Sequence, residues 1–216
     1  MESEIKLRFN HPSRLKQTVF EPWFRRFFET EHPTIIDLSN IYFDTSDYML
    51  RSMGAVARVR TLNDNEIIHT LKISAGQVDG LHQRLEWNYN MDAHVFDAQA
   101  FLRSAQMPCD SIDQLESVLM PVAHTIMHPI FETRFERQIY IARYQSSRME
   151  IALDVGDICV GNQKASICEM EIELIEGNLS DLIALGQVVL DHADCEIENE
   201  SKYGRAINMM DKEFGS

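Results

Sequence analysis

Charged residues occupy alternate positions in the first segment of the chain, where Glu2, Glu4, Lys6 and Arg8 fill the even positions. Successive side chains of a strand point to opposite faces of a sheet, so these four share one face. The same two-residue spacing recurs at Arg58 and Arg60, and at Glu169, Glu171 and Glu173. A sheet face that carries carboxylates and cations together indicates a site for a metal ion and a polyanion.

The carboxylates on this inferred face are candidate metal ligands. Two residues of strand rise place Glu2 and Glu4 about 7 Å apart, so both side chains can converge on one hard cation. The expected ligands are Glu2, Glu4, Asp154, Glu169 and Glu171. Oxygen ligands alone favour Mg²⁺ or Mn²⁺ over zinc. The alternative is that these carboxylates only form structural ion pairs with arginines.

The cations on the same face form a candidate substrate-binding surface. They are Lys6, Arg8, Arg58, Arg60, Lys72, Arg84, Arg137 and Lys202. This many cations need a highly negative ligand, and triphosphate offers oxygens both to bidentate arginines and to a metal. Arg134 is a weaker candidate, because Arg137 lies on the opposite strand face unless the strand carries a bulge. For any single cation, the alternative is a solvated position on the protein surface.

Composition restricts the class of partner. A formal net charge of −14 over 216 residues argues against general binding of nucleic acid or anionic membranes, although it allows a local basic pocket. No apolar run approaches the ~18–20 residues of a membrane span. The four cysteines, Cys109, Cys159, Cys168 and Cys195, show no C-x-x-C spacing and are expected to be reduced, buried thiols of a cytoplasmic protein. The sequence has no phosphate-binding glycine loop or nucleophile elbow.

The elements that must position these residues are mostly strands joined by short turns. Strands are expected at 2–9, 34–44, 54–62, 65–74, 82–90, 130–145, 148–161 and 164–176. Helices are expected at 12–31 with an irregularity at Pro22, in a short turn capped by residues 44–47, and at 94–104, 111–126, 178–193 and 202–212. A glycine-containing loop is expected at 76–80, and hairpin turns at 63–64, 145–147 and 161–163.

About eight antiparallel strands favour closure into a barrel, because closure removes the sheet edges. The apolar faces must pack against surface helices, so the charged face points inward and makes a polar tunnel for one small ligand. We therefore predict an α+β fold with a closed eight-stranded antiparallel barrel in a single domain, residues 1–212. Residues 213–216 resemble a cloning remnant. His69 and His82 are expected to be packed or exposed rather than catalytic.

Together these motifs resemble the CYTH superfamily, the triphosphate tunnel metalloenzymes. The signature Glu-x-Glu-x-Lys stands at residues 2–6. The resemblance continues in chain order through residues 40–45, 57–60, 70–72, 167–174 and 201–203, so it covers nearly the whole chain. Residues 80–86 are most similar to the bacterial branch that hydrolyses inorganic triphosphate.

The resemblance implies an eight-stranded antiparallel tunnel, a divalent metal and a triphosphate substrate. Members of the bacterial branch often carry a C-terminal helical CHAD domain, so a missing CHAD domain is one expectation for this chain. The same scaffold also serves thiamine triphosphatases, RNA triphosphatases and class IV adenylate cyclases, so the fold does not determine the substrate.

The leading hypothesis is metal-dependent hydrolysis of inorganic triphosphate to diphosphate and phosphate. Glu4, Glu171, Lys6 and Lys202 are the candidate catalytic residues, and either carboxylate or a second ion orients or activates the attacking water. One alternative is a class IV-type adenylate cyclase or an organic triphosphatase acting on thiamine or nucleoside triphosphates. Another is a non-catalytic module that binds polyphosphate or nucleotide. Both a monomer and a homodimer remain open.

Overall fold

An antiparallel sheet dominates the computed structural model, which describes residues 2–78, 81–105 and 112–214. Its strands are β1 (Glu2–Phe9), β2 (Thr34–Asp44), β3 (Ala55–Leu62), β4 (Glu66–Val78), β5 (Leu81–Asn90), β6 (His128–Tyr144), β7 (Ser147–Val160), β8 (Gln163–Glu176) and β9 (Cys195–Ile197). The strand order is β5-β4-β3-β2-β6-β7-β8-β1, and β1 also pairs with β5. Eight strands therefore close into a barrel, and the predicted fold class is confirmed. β9 pairs with the last residues of β1.

Helices cover the outer surface and one end of the barrel. They are α1 (Pro12–Thr18), α2 (Pro22–Arg25), α3 (Met49–Ser52), α4 (Ala98–Ser104), α5 (Ile112–Leu119), α6 (Leu179–His192) and α7 (Lys202–Phe214), with a 3-10 turn at Met120–Val122 after α5. Within the described ranges, no helix has both the length and the apolar character needed to cross a membrane.

The predicted hairpin turns are confirmed, and their backbone explains their sequences. Asn63 and Asp64 have φ values of 47° and 59° between β3 and β4. Three residues separate the two strands, and the Asn65 N–H donates to the Leu62 carbonyl at 3.0 Å, so Asn63 and Asp64 are the central residues of a β-turn. Asn and Asp tolerate the positive φ that both positions adopt. Gln145 and Gly161 also have positive φ, both 52°, at the β6–β7 and β7–β8 turns.

The caps predicted for the short helix after β2 are also present. The Met49 N–H donates to Thr45 Oγ1 at 2.9 Å. The N–H groups of Leu50 and Arg51 donate to the two oxygens of Asp44, each at 2.9 Å. These bonds satisfy the otherwise unpaired donors of the first helical turn, so residues 44–45 fix the start of α3.

The element boundaries differ from the sequence prediction in several places. The predicted helix at 12–31 is two short helices, because Pro22 lacks an N–H and starts α2 instead of continuing α1. β4 runs past residue 74 to Val78 through a bulge, so it takes in part of the expected loop at 76–80. β9 was not predicted, since three residues carry too little alternation to be recognised. α7 continues to Phe214, and residues 215–216 lie outside the described residues.

Two apolar clusters lie outside the barrel wall. One joins the outer faces of β1, β7 and β8 to α1, α2 and α6, with Leu7, Leu15 and Leu185 fully buried. The other joins β3, β4 and β5 to α3, α4 and α5, with Leu71 and Phe101 fully buried. The apolar face of each strand is thus used on the outside, which leaves the charged face for the interior.

A third apolar cluster joins α7 to the barrel. Ala206 and Ile207 of α7 pack with Leu38, Tyr42 and Phe135. These three side chains of β2 and β6 also line the interior cavity. The helix therefore covers one end of the barrel, and its first residue reaches the interior.

The cysteines of the described residues are free thiols. Cys159, Cys168 and Cys195 form no disulfide, but only Cys168 is buried as expected, whereas Cys159 and Cys195 are partly exposed. Cys109 lies outside the described residues.

Candidate active site

The barrel encloses a charged cavity of about 760 Å³. Charged side chains reach its surface from every barrel strand except β2, and from α3 and α7. They include Glu2, Glu4, Lys6, Arg58, Arg60, Lys72, Arg84, Glu86, Arg137, Glu150, Glu171, Glu173 and Lys202. The inward direction of the charged strand face is therefore confirmed.

A single ammonium group lies among three carboxylates at the α7 end of β7 and β8. The register of β7 with β8 places Asp154 directly opposite Glu169. Lys202 Nζ donates to Asp154 Oδ2 at 2.6 Å, to Glu171 Oε1 at 2.9 Å and also to Glu169. One oxygen from each of the three carboxylates lies within 4.8 Å of the others. We call these four residues the Lys202 cluster.

Two further cations extend the Lys202 cluster into the cavity. Lys6 donates to Glu171, which is its direct partner across β1 and β8. Arg137 donates from Nε and Nη2 to the two oxygens of Asp154, at 2.7 Å and 2.6 Å, and also contacts Glu171. Glu171 is therefore shared by three cations, which makes it the central carboxylate of the site.

These contacts decide the charge states. Burial alone would raise the pKa of Glu171, but Lys202, Lys6 and Arg137 hold it well below its usual value. Burial likewise opposes ionisation of Lys202, yet the carboxylates of Asp154, Glu169 and Glu171 raise its pKa. Near neutral pH, Glu171 and Lys202 are therefore both ionised, and each charge is stabilised by its oppositely charged neighbours.

Glu4 is buried between two cations, and one of its carboxylate oxygens accepts no hydrogen bond from the described residues. Its Oε1 lies 3.2 Å from Lys6 Nζ and 3.3 Å from Arg84 Nη1. Neither contact has hydrogen-bond geometry, so this oxygen has no donor among the described residues. Burial raises the pKa of Glu4, but the charges of Lys6, Lys72 and Arg84 together outweigh it and the net shift is downward. Glu4 is thus an ionised carboxylate, and its Oε1 accepts no hydrogen bond from the described residues.

A second carboxylate pair lies on β1 and β5. Lys72 Nζ is 3.0 Å from Glu2 Oε2 and 2.5 Å from Glu86 Oε2, and Arg58 Nη2 is 3.8 Å from Glu86. Burial and the hydrogen bond with Glu86 raise the pKa of Glu2 to about 8. The pKa of Glu86 is lowered, because burial is outweighed by Lys72 and by the hydrogen bond from Glu2. The pair therefore shares one proton near neutral pH.

The donor set fits a hard divalent ion. Among the predicted ligands, Glu2, Glu4 and Glu171 line the cavity, whereas Asp154 and Glu169 are completely buried beside Lys202. All five offer carboxylate oxygens, which are the ligands that Mg²⁺ and Mn²⁺ prefer. The unpaired oxygen of Glu4 and the three converging carboxylates of the Lys202 cluster are positions where such an ion finds ligands. An ion at the latter position would compete with the Lys202 ammonium.

Comparison with known proteins gives the family. The CYTH domain matches residues 1–207. This chain belongs to the CYTH domain family. An inorganic triphosphatase of Haemophilus influenzae is 30% identical over 192 residues, which cover 89% of this chain and 51% of that protein. The chain thus spans about half the length of this curated relative.

Solved structures show the same CYTH barrel. A protein of Hippeastrum, described as a candidate adenylyl cyclase with a dominant triphosphatase activity, aligns with a TM-score of 0.67 and 18% identity over 97% of this chain and 96% of that chain. A candidate adenylate cyclase of Bacillus halodurans aligns with a TM-score of 0.55 and 17% identity over 100% and 98% of the two chains. At these identities the likeness extends to the fold.

Arg8 is the predicted substrate-binding residue that the CYTH barrel does not place in the cavity. Its side chain is 51% exposed and forms an ion pair with Glu196 of β9 at 2.8 Å. Arg8 does share a strand face with Lys6, but it lies nearer the end of β1, where β9 has replaced β5 as the neighbour. The structure therefore places Arg8 outside the cavity that holds the other predicted substrate-binding residues. Arg134 is also exposed and pairs with Glu132.

Sequence reasoning missed several residues of this site. Arg205 donates to Glu169 at 2.9 Å, and it lies three residues after Lys202, on the same face of α7. That three-residue spacing from Lys202 could have identified Arg205 from the sequence. Asn40 contacts Arg60 from a position alternate with Tyr42, but an uncharged amide does not stand out in a search for charged faces. His82 lines the cavity, accepts from Arg84 at Nδ1 and lies 3.2 Å from the Glu198 carbonyl, so it is packed as expected.

Proposed function

We propose that this CYTH protein hydrolyses inorganic triphosphate to diphosphate and phosphate with the help of Mg²⁺ or Mn²⁺. The observation that carries the proposal is the convergence of cations from five strands and α7 on one cavity. The cations from the strands and α7 are Lys6, Arg58, Arg60, Lys72, Arg84, Arg137 and Lys202, and Arg51 of α3 also lines the cavity. A cavity of this kind favours a compact polyanion, and a triphosphate has enough oxygens to contact several of these cations at once. The name of the Haemophilus relative supports the same substrate.

Hydrolysis joins the oxygen of water to a terminal phosphorus and breaks the bond from that phosphorus to the bridging oxygen. We assign Glu4 and Glu171 to orient the attacking water through hydrogen bonds, because both line the cavity and their lowered pKa values keep them ionised as acceptors. A carboxylate with a lowered pKa is a weak base, so the proton of the water passes to a phosphate oxygen of the product. Lys6 and Lys202 neutralise the charge that develops on the departing diphosphate. Positioning and charge compensation are the main demands of phosphoryl transfer, so no covalent nucleophile is required.

The proposed ligands of the metal are Glu2, Glu4, Asp154, Glu169 and Glu171. A bound divalent ion withdraws negative charge from phosphate oxygens, which lowers the barrier to attack by water. The contribution of the chain is to hold these carboxylates close to the cations of the cavity, as in the contacts of Arg137 with Asp154 and of Arg84 with Glu4.

A second candidate is hydrolysis or cyclisation of an organic triphosphate. Apolar side chains of β2, β3 and β6, including Ile36, Leu62 and Ile139, line part of the same cavity. They offer an apolar surface to a base or another organic group attached to the triphosphate. A non-catalytic polyphosphate-binding module is a third candidate, and it needs the cations but not the metal carboxylates.

A substrate panel tests these candidates. Phosphate release from triphosphate, diphosphate, long polyphosphate, ATP and thiamine triphosphate is measured with Mg²⁺, with Mn²⁺ and with chelator, together with cyclic AMP formation from ATP. We expect triphosphate to have the highest kcat/KM and the activity to need the metal. Cyclic AMP as the main product, or faster hydrolysis of an organic triphosphate, would reject the inorganic substrate.

The variant that tests the mechanism is Glu171→Gln, which keeps the size of the side chain and removes its charge. We expect kcat to fall by at least ~100-fold, equivalent to about 2.7 kcal/mol of transition-state stabilisation. Glu176→Gln is the matched control, because Glu176 lies on the same strand but is exposed. A folded Glu171→Gln protein with normal activity and metal dependence would remove Glu171 from the mechanism.

A further inference from the structure

Arg60 differs from the other cations of the cavity because no carboxylate neutralises it. Arg84, Lys72 and Arg137 have carboxylate oxygens at 3.3 Å, 2.5 Å and 2.6 Å, and Arg58 has one at 3.8 Å. Over the residues that the structure describes, no carboxylate oxygen lies within the 4.0 Å of an ion pair to Arg60. Burial and the nearby cations Arg58 and Arg137 lower the pKa of Arg60 to about 9. Its surroundings are therefore short of negative charge.

The neutral side-chain amide of Asn40 contacts the guanidinium of Arg60. Arg60 Nε donates to Asn40 Oδ1 at 2.8 Å, and Asn40 Nδ2 donates to Thr133 Oγ1 at 2.9 Å. Asn40 on β2 is the direct cross-strand partner of both Arg60 on β3 and Thr133 on β6. Asn40 and Thr133 are completely buried, whereas Arg60 lines the cavity.

The chemistry of these groups fixes the direction of the contacts. A guanidinium has only donors, so the amide of Asn40 must present its oxygen to Arg60. The amide nitrogen then needs an acceptor, which Thr133 supplies. Because Nε is engaged by Asn40, the two terminal nitrogens of Arg60 remain for a ligand in the cavity.

We propose that Asn40 is a positioning residue that holds Arg60 as the un-neutralised phosphate-binding cation of this cavity. A carboxylate at position 40 would make the same hydrogen bond and would also cancel the charge. The amide orients the guanidinium without competing with a phosphate for it. This inference rests on the proposed function, since it assigns Arg60 to the triphosphate.

The deciding variant is Asn40→Asp, which changes the charge and almost nothing of the shape. We expect its KM for triphosphate to rise about tenfold or more, with kcat within about threefold of the unsubstituted protein, because the lost contact is to bound phosphate rather than to the departing group. Its melting temperature should be equal or higher, since a buried cation gains a counter-charge. A merely structural role for Asn40 predicts a lower melting temperature with unchanged KM.

Two further variants control the comparison. Asn63→Asp makes the same change of net charge at an exposed turn, so its KM should not move. Thr133→Val removes the acceptor for the Asn40 amide nitrogen at constant shape. It should raise KM less than Asn40→Asp does, because Arg60 keeps its charge but its amide partner is no longer held in one orientation.

Calorimetric binding of triphosphate in metal-free buffer separates this inference from the proposed function. If the unsubstituted protein binds triphosphate without hydrolysing it when metal is added, the proposed function fails. In that case weaker binding by Asn40→Asp still supports the role of Asn40. Equal triphosphate affinity and equal KM for Asn40→Asp and the unsubstituted protein would overturn the inference while hydrolysis stood. Absence of binding by the unsubstituted protein would overturn the assignment of Arg60.

Discussion

At the scale of single residues, Glu173 belongs to a group of three adjacent carboxylates. Its direct partners are Glu4 on β1 and Glu150 on β7. Within the described residues, neither Glu173 nor Glu150 has a basic nitrogen within ion-pair distance. Burial and repulsion from Glu4, Glu150 and Glu171 raise the pKa of Glu173 to about 7. The site therefore contains a carboxyl group whose ionisation costs stability.

The sign of this effect gives a prediction. The usual pKa of 4.5 applies in the unfolded chain, so between that pH and about 7 the folded state holds a proton that the unfolded state has lost. Stability is then full below the unfolded pKa and is lost as pH rises through the folded one. Glu173→Gln should therefore stabilise the protein by about 1–3 kcal/mol at pH 8 and by little at pH 5. Urea unfolding in chelator at the two pH values measures the difference.

Glu176→Gln is the control for this pH effect. Glu176 is on the same strand and is exposed, so its substitution should change stability by the same small amount at both pH values. An equal gain for Glu173→Gln at pH 5 and pH 8 would mean that repulsion between ionised carboxylates is not its cause.

Alternation predicted which residues face the cavity, but it did not predict their depth or partners. Glu4, Lys6, Arg58 and Arg60 lie where a period of two places them. Arg8 obeys the same period and still lies outside, because its position along the barrel depends on where β9 joins β1. Alternation in the sequence predicts which face of the sheet a side chain lies on. Its depth within the barrel depends on the register of all the strands.

At the scale of elements, β6 and β7 approach each other closely at Gly156. A Cβ built on Gly156 would lie 2.1 Å from the Arg134 carbonyl oxygen and 2.5 Å from the Phe135 backbone. Real Cβ atoms do not approach backbone this closely, so only glycine permits the observed pairing. Gly156 lies two residues after Asp154 on β7, and its cross-strand partner Phe135 lies two residues before Arg137 on β6.

Gly156→Ala should therefore destabilise the protein by more than about 2 kcal/mol, because backbone atoms cannot move aside as a flexible side chain can. Thermal unfolding measures this loss. Gly204→Ala is the matched control, since its Cβ would meet only Ser201 Oγ at an ordinary 3.5 Å. Gly204 lies in α7, where alanine is favoured, so this control should stabilise by up to about 1 kcal/mol. A neutral Gly156→Ala would show that β6 and β7 can separate locally without cost.

Elements were predictable where local chemistry decides them. β2 was predicted with its observed bounds, and the Asn63–Asp64 turn follows from residues that tolerate positive φ. The predicted helix at 12–31 failed because an apolar stripe near helical spacing continues through Pro22, although the backbone cannot. β9 depends on pairing with β1, a contact between residues far apart in sequence.

At the scale of the molecule, the barrel separates two charge environments. The chain has a formal net charge of −14, yet the cavity draws together cations from five strands and α7. The closed eight-strand arrangement was predictable from the number of hairpin-connected strands. The pairing inside it was not, since contacts such as Arg137 with Asp154 depend on the β6–β7 register.

The last prediction uses this arrangement as a whole. Triphosphate contacts cations that only the folded barrel assembles, so it binds the folded state and raises the melting temperature. A concentration of about 100 times Kd adds about 2.7 kcal/mol, and each kcal/mol shifts a domain of this size by about 2–4 °C. We therefore expect a rise of about 5–10 °C with triphosphate at ~1 mM if Kd is ~10 µM, and a smaller rise with orthophosphate at the same concentration and ionic strength. Arg60→Ala should lose most of the shift, whereas Arg134→Ala, which removes an exposed arginine, should keep it. Equal shifts from the two anions would contradict a cavity sized for three phosphates, because a single phosphate has too few oxygens to contact as many of these cations at once.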